Sequence, residues 1–439
     1  MLVMKFGGAA LEDTEGIERA CSAIESAREE SPIVVVSALK GVTDQLDNWL
    51  RDATASGMEK IESPFDSIKK RHENVVWELV EEVEVRSKVL FNINRWLGEL
   101  EKMVDSIICL REYTPKCRDY ILSFGERFAS HIVAASLVSR GMKASQVDGE
   151  DIIVTDKNFG RAYPKMAATK EKVKSVLSSV CDMGRIPVVM GFVGATPKGA
   201  TTTMGRGGTD LSAALLANCL DASEVRFYKK VGGILSADPE YIEEEPRMIE
   251  EMTYREVSEL SFFGAKILHP IAIRPLREKG IPVTIRGFAD PHKVGTRIAE
   301  LKTGKDRGAQ ALTSLRRVGI VTVEGGGLLE NAGILGRVFT RIEKSGIEVL
   351  MISQSSSEQN IGFVVRRAEA SLAVELLREE LELSLLKGEV ERIQARSDCS
   401  IISVVGQGLP GHPSIASTAL QAFVKNGIEV PLLVQGASS

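Results

Sequence analysis

The sequence has no C-x-x-C pair; its six cysteines (Cys21, Cys109, Cys117, Cys181, Cys219 and Cys399) are spread along the chain. That spacing offers neither a thiolate metal site nor a disulfide framework, and it suits reduced, mostly buried thiols of a cytoplasmic protein. Histidine is scarce, with five scattered copies in 439 residues, which argues against a His/Cys metal cage. No apolar run is long enough to span a membrane, and the opening MLVMKF is too short for a secretory signal, so no membrane partner is expected. Long basic runs are missing and the formal net charge is -5, which argues against nucleic acid while leaving room for a local anion pocket. The chain also lacks the G-K-[ST] of a Walker phosphate loop.

Hydrophobic residues make up 44% and charged residues 26%, an ordinary globular balance, and the length predicts two or three domains. LVMKF (2–6) and PIVVVSA (32–38) read as buried parallel strands around an amphipathic stretch at 14–29, a right-handed β-α-β unit. Residues 59–112 read as added helices. A helix at about 116–140, strand IPVVMGF (186–192), helix 208–220, and strands EVRFY (224–228) and IPVTIR (281–286) continue the pattern. The expectation for 1–305 is one α/β domain with a mainly parallel sheet flanked by helices.

After the polar stretch 302–310 the rhythm changes. Residues 311–396 read as a β-α-β-β-α-β module of ferredoxin-like type. The pattern then restarts with an offset of 81 residues: Gly325 and Gly327 match Gly406 and Gly408, GIEV (346–349) matches GIEV (427–430), and Gln354 matches Gln435. The second copy, 397–439, stops before the counterpart of strand NIGFVV. Its missing half is either supplied by other strands or removed from this chain.

Four segments carry the chemistry. In MKFGG (4–8), Lys5 ends a buried strand before Gly7 and Gly8; glycines let backbone approach phosphate closely, although strand-Gly-Gly alone is more often a tight turn. In SFGERFAS (123–130), Glu126 and Arg127 read as standing where a turn enters an apolar helix, which by itself suggests a dipole-favoured acid. In GFVGATPKGATTTMGRGGTDLSAALLA (191–217), a loop of small residues runs straight into an apolar helix. Backbone amides and threonine hydroxyls at that start suit an anion, and Arg206 could grip a carboxylate with two parallel hydrogen bonds. The alternative there is a flexible linker, which would not flow into so apolar a helix. In FFGAKILHP (262–270), Lys266 means little alone.

Together KFGGAA, SFGE, GRGGTD and FGAKILHP, in this order, resemble the aspartate kinase branch of the amino-acid kinase family, and the repeated module resembles that branch's paired ACT regulatory domains. SALKGVTD (37–44) is similar to the family's substrate-lining turn. The resemblance implies ATP and Mg2+ as cofactors and L-aspartate as substrate. It implies that Lys5, Asp210 and Lys266 are catalytic, and that Ser37, Thr43, Glu126, Phe192, Arg206 and Thr209 bind the substrate. Lys5, Gly7, Gly8, Lys229, Lys230 and Lys266 would bind the nucleotide, and few protein ligands to the metal are expected. An amino-acid effector is implied at Gly333, Ile334, Leu335, Glu348 and Gln354, with packing of a β-α interface as the equal alternative. A homodimer or larger homo-oligomer is implied as well.

The chain departs from the family pattern at KKVGGILSADPE (229–240), where Lys230 replaces an acid, Leu235 a tyrosine or methionine, and Glu240 an arginine. Ala9 and Ala10 replace hydroxyl residues. These changes bear on the nucleotide, and Lys230 is the candidate to compensate for the lost cation. Two other readings stay open: a catalytically weak kinase-like amino-acid sensor, and the kinase part of a fusion with homoserine dehydrogenase. The sequence reads as having no G-x-G-x-x-G dinucleotide fingerprint following a strand to support the latter.

Overall fold

Strands Leu2–Phe6 and Pro32–Val36 are buried at every position, as strands covered on both faces must be. They are parallel neighbours near the middle of an eight-stranded sheet in the computed structural model, which describes residues 1–55, 65–265, 267–300, 307–326, 332–355 and 360–436. By residue number the strands lie in the order 251–252, 296–298, 283–287, 224–229, 2–6, 32–36, 186–190, 144–147. Every neighbouring pair is parallel except Thr296–Ile298 against Val283–Gly287. The carboxyl ends of strands 2–6, 32–36 and 224–229 therefore open on one edge, where ligands of such sheets bind.

The expected strand at 186–192 ends at Met190, because Phe192 adopts a positive φ of 66° that no strand accommodates. The described residues form two compact units: 1–236, 246–261 and 267–300 belong to the first, and 237–245, 262–265 and 307–436 to the second.

A long core helix of the first unit, Pro115–Ser139, starts with Thr114 accepting from the Cys117 amide at 3.2 Å and Pro115 in its first turn. By length and composition it could cross a membrane, contrary to the expectation that no run could, but 83% of its most apolar window is buried inside the unit. Glu126 stands three turns into this helix, not at its start, so the expected dipole explanation for the acid does not apply. Phe128, fully buried, anchors the helix against the rings of His72, Trp96 and Phe124.

In the second unit, strands 351–355, 360–366, 308–324 and 392–407 form an antiparallel sheet in that order. Helices Ala332–Lys344 and Arg367–Glu380 cover one face, with Val321, Val338, Phe363 and Ala373 in the core. This is the expected ferredoxin-like module, although GIEVL (346–350) precedes the strand rather than forming it. Strand Gly308–Glu324 begins inside the polar stretch 302–310, because its first half has a partner. Gly308–Leu315 pairs antiparallel with Ile401–Gln407, the first strand of the second repeat. The incomplete copy thus receives one strand from the chain ahead of the first copy.

A G-x-G-x-x-G string does follow a strand, at Gly406, Gly408 and Gly411, contrary to expectation. Its strand is antiparallel to its neighbour, whereas a dinucleotide cradle needs a parallel β-α-β unit.

Truncating Phe128 to alanine removes the side chain on which the long helix rests. We expect a loss of about 3–5 kcal/mol, read as a lower urea midpoint at unchanged slope. A loss below about 1 kcal/mol would show that the helix is held elsewhere.

Candidate active site

Lys5 and Lys229 end adjacent parallel strands, and the carboxylate of Asp210 lies between their ammonium groups. Lys5 Nζ is 2.6 Å from Asp210 Oδ1, a close ion pair, and Lys229 Nζ donates to Oδ2 at 2.8 Å. Asp210 is in the first turn of helix Gly208–Leu220, where the dipole also favours an anion. Burial pushes its carboxyl up, but Lys5 and then Lys229 outweigh that and bring it down to about 2. Burial lowers the Lys5 ammonium against the pull of Asp210, and the charge of Lys229 lowers it further. The trio carries one net positive charge.

The glycine pair is required by close approach. A Cβ on Gly8 would lie 2.9 Å from the Ala38 carbonyl oxygen, and one on Gly7 would lie 3.2 Å from Lys5 Nζ. Gly125 does the same for the long helix, since a Cβ there would come within 2.8 Å of that of Ala38. The helix can therefore press Glu126 against the turn that follows strand Pro32–Val36. Glu126 is 2% exposed and its Oε2 has no hydrogen-bond partner. Burial pushes its carboxyl up to about 8, despite hydrogen bonds from the backbone of Ala38 and of Glu126 itself, the Ser37 hydroxyl, and the charge of Lys5.

These groups line one cleft of about 280 Å³. Lys5, Ser37, Thr43 and Glu126 form one part of its wall, and Phe192, Arg206, Thr209 and Asp210 form another. Ser37 and Thr209 hydroxyls are 3.2 Å apart across it. Arg206 is exposed and makes no hydrogen bond or ion pair with the described residues. Its loop turns through Gly205 (φ 71°) and Gly207 (φ 78°), and a Cβ on Gly207 would run into the side chain of His269. Phe192, also at positive φ, is held by its amide donating to Ser212 Oγ at 2.9 Å.

Every expected substrate residue is in this cleft. Of the expected nucleotide residues among those described only Lys5 lines it; Gly7, Gly8 and Lys229 are not part of its wall, and Lys230 is exposed without an ion pair among the described residues. Lys266 lies outside the described residues. Gly205, Gly207 and Gly208 also line the cleft; the sequence marked them as loop formers, and their left-handed or crowded backbones are the signal that gives them a wall position. Among the described residues no group of three or more His, Cys, Asp or Glu side chains could hold a metal ion.

The expected effector residues do not share one place in the second unit. Ile334 is buried in its core, Gly333 is exposed and Leu335 half-buried on the same helix. Glu348 is exposed, 3.8 Å from Arg366. Gln354 borders a separate hollow of about 640 Å³ with Thr322, Asn360, Gln394 and Leu432.

Comparison with known proteins agrees with this architecture. Residues 1–287 match the amino acid kinase family and 321–381 match the ACT domain. The chain is 32% identical to the chloroplastic aspartokinase 2 of Arabidopsis thaliana over 99% of its own length and 79% of that protein. It is 26% identical to the chloroplastic bifunctional aspartokinase/homoserine dehydrogenase 1 of the same plant, and spans about half (48%) of that longer protein. The crystal structure of E. coli aspartokinase III in complex with aspartate and ADP (R-state) superposes with a TM-score of 0.84 at 27% identity, covering 100% of this chain and 94% of that one. The complex of the same enzyme with lysine and aspartate (T-state) gives 0.77 at 26% identity, with the same coverage. The chain belongs to the amino acid kinase family, among its aspartokinases.

The environment of Glu126 makes a spectroscopic prediction for the unliganded protein. One side-chain carboxyl should titrate near pH 8 by carbon NMR and be missing from the Glu126→Gln variant. A spectrum in which every carboxyl is ionised by pH 6 would contradict the buried, unpaired state of this group.

Proposed function

We propose that this chain is an aspartate kinase, transferring the γ-phosphoryl group of ATP to the β-carboxylate of L-aspartate to give 4-phospho-L-aspartate. The observation that carries the reading is the charge layout of the cleft. A buried carboxylate without a salt partner (Glu126) and an unpaired guanidinium (Arg206) share one space with the cationic Lys5–Asp210–Lys229 cluster. An α-amino acid presents the complement, an ammonium for Glu126 and a carboxylate for Arg206.

With its backbone ends so held, aspartate would direct the β-carboxylate toward the lysines. That carboxylate is ionised at neutral pH, so no general base is needed. Phosphoryl transfer depends on positioning and charge neutralisation, and Lys5 would stabilise the charge developing on the transferred group. Asp210 would keep Lys5 and Lys229 from repelling each other and fix their direction. Ser37 and Thr43 would hold the amino acid, Phe192 would close its side of the cleft, and Thr209 would order the phosphate end. Lys266 is given the second cationic role on the resemblance alone. Mg2+ would neutralise phosphate charge while bound to the nucleotide and water, since Asp210 is already committed to two lysines.

The wider reading is a cytoplasmic, homo-oligomeric enzyme at the first step of lysine, threonine and methionine synthesis. Its ACT region would bind an amino-acid effector that favours a conformation with poor substrate affinity. The E. coli relative crystallised with lysine supports an effector of that kind.

The test is ADP release with Mg-ATP and L-aspartate, with hydroxylamine present to trap the acyl phosphate. Aspartate-dependent hydroxamate, absent with glutamate, is expected. A folded protein that binds lysine or threonine but makes none would instead support the sensor reading, which the changed 229–240 segment favours.

The raised Glu126 carboxyl adds a pH signature. It must ionise to pair with an ammonium, so binding below pH 8 releases a proton. The KM for aspartate should fall about tenfold per unit between pH 6 and 7.5 and flatten above 8. A KM independent of pH over that range would remove Glu126 from the ammonium role.

A further inference from the structure

The long helix carries a second buried carboxylate that the proposed chemistry does not use. Asp119 is fully buried and lies seven residues, about two turns, before Glu126, on the same side of helix Pro115–Ser139. Among the described residues no cation donates a hydrogen bond to it; the neighbouring Arg118 donates instead to Asp47 at 2.6 Å. Three donors from two loops satisfy Asp119. Its Oδ2 accepts from the backbone amides of Gly160 and Thr203, each at 2.8 Å, and its Oδ1 accepts from the Thr203 hydroxyl at 2.8 Å.

Thr203 ends the short strand Thr201–Thr203, three residues before Arg206. The two loops are also tied to each other. The Ala162 amide donates to the Thr203 carbonyl at 2.9 Å, and a Cβ on Gly205 would lie 2.9 Å from the Gly160 carbonyl oxygen. Beyond Thr203, the Met204 amide donates to the Phe192 carbonyl at 3.0 Å and the Gly208 amide to that of Gly205 at 2.9 Å. Arg206 has no side-chain partner, so only its backbone locates it, and that backbone passes through two left-handed glycines. Upstream, Thr203 is held by its pairing with Val193 and by Asp119, and of the two only Asp119 belongs to the helix that bears Glu126.

We propose that Asp119 is a positioning residue that ties the Arg206 loop to the helix bearing Glu126, so that one rigid element sets the distance between the two groups that hold the amino acid. This inference rests on the assignment of Glu126 and Arg206 to the ammonium and α-carboxylate of aspartate. A helix is a stiff spacer, and displacement of a gripping group by about 1 Å can cost on the order of 100-fold. The role separates aspartate from ATP, because Lys5 and Lys229 are placed by strands and not by this loop.

The experiment compares Asp119→Ala, Asp119→Asn and Thr203→Val with the parent chain in the hydroxamate assay, varying aspartate and ATP separately. Asp119→Ala should raise the KM for aspartate about 10- to 100-fold while that for ATP moves less than about twofold. Thr203→Val keeps the shape and both amide bonds but removes one donor, and should raise the aspartate KM roughly three- to tenfold. Asparagine restores the geometry, since its carbonyl can accept both amides and its NH2 can donate to the Thr203 oxygen; it should return the KM to within about threefold of the parent. A folded Thr203→Val protein with an unchanged aspartate KM overturns the inference even if Asp119→Ala does not fold. So does a parallel rise in both KM values, which marks general loosening. If the parent chain itself makes no hydroxamate, the kinase reading falls first and this inference with it. An active parent with indifferent variants sinks only the role of Asp119.

Discussion

The first unit is organised around one carboxylate held between two ammonium groups. Lys5 and Lys229 can both reach Asp210 because their strands are adjacent, parallel and end on the same edge of the sheet. Asp210 meets them because helix Gly208–Leu220 starts at that edge. Two lysines in so dry a place would repel each other without the carboxylate. The carboxylate alone would carry a desolvation penalty of several kcal/mol. Each charge is tolerable only in the presence of the other two, so strand order, helix start and glycine turns are all constrained by one local requirement. Lys5 and Asp210 of the three line the cleft.

The same cleft holds a second buried carboxylate with the opposite property. Asp210 is brought down to about 2 and Glu126 is pushed up to about 8, two carboxyls of one cleft separated by environment. The difference lies in partners, since both are buried and only Asp210 has cations at hydrogen-bond distance. Asp210 is therefore a permanent anion that belongs to the framework. Glu126 has no cation at hydrogen-bond distance among the described residues, and burial holds it largely protonated at neutral pH. Pairs of titratable groups driven apart in this way mark division of labour in catalytic sites. On the proposed reading, the division is between holding the protein's own lysines and holding a ligand's ammonium.

Much of this was legible in the sequence because the decisive residues lie beside glycines. Gly8, Gly125, Gly205, Gly207 and Gly208 each make a close approach or adopt a left-handed backbone, and each lies within three residues of Lys5, Glu126, Arg206 or Asp210. Strands 2–6 and 32–36 and helix 208–220 were legible for a related reason, since continuous burial leaves unbroken apolar runs. Relations between distant segments left no such trace. Asp119 reads as an unremarkable acid near a helix start, and its three donors come from residues 41 and 84 positions away. The pairing of Gly308–Leu315 with Ile401–Gln407 is equally invisible, because a strand before a repeat looks like a linker until its partner is known. Glu126 was identified by its motif but misplaced, since the helix continues upstream through residues whose polar groups are satisfied by other segments.

The departures at 229–240 look different once the backbone is considered separately from the side chains. A Cβ on Gly233 would lie 2.6 Å from Met248 Sδ and 3.0 Å from Thr296 Oγ1, and one on Gly295 would run into the Gly232 carbonyl. The course of this turn is therefore fixed by glycine contacts that the substitutions leave alone. What changes is charge: an acid becomes Lys230 and a base becomes Glu240, so the formal charge of the segment is unchanged while its distribution is reversed. The changed charges are the feature that favours the sensor reading, while the close-packed turn and the Lys5–Asp210–Lys229 cluster beside it are what a working phosphate site needs.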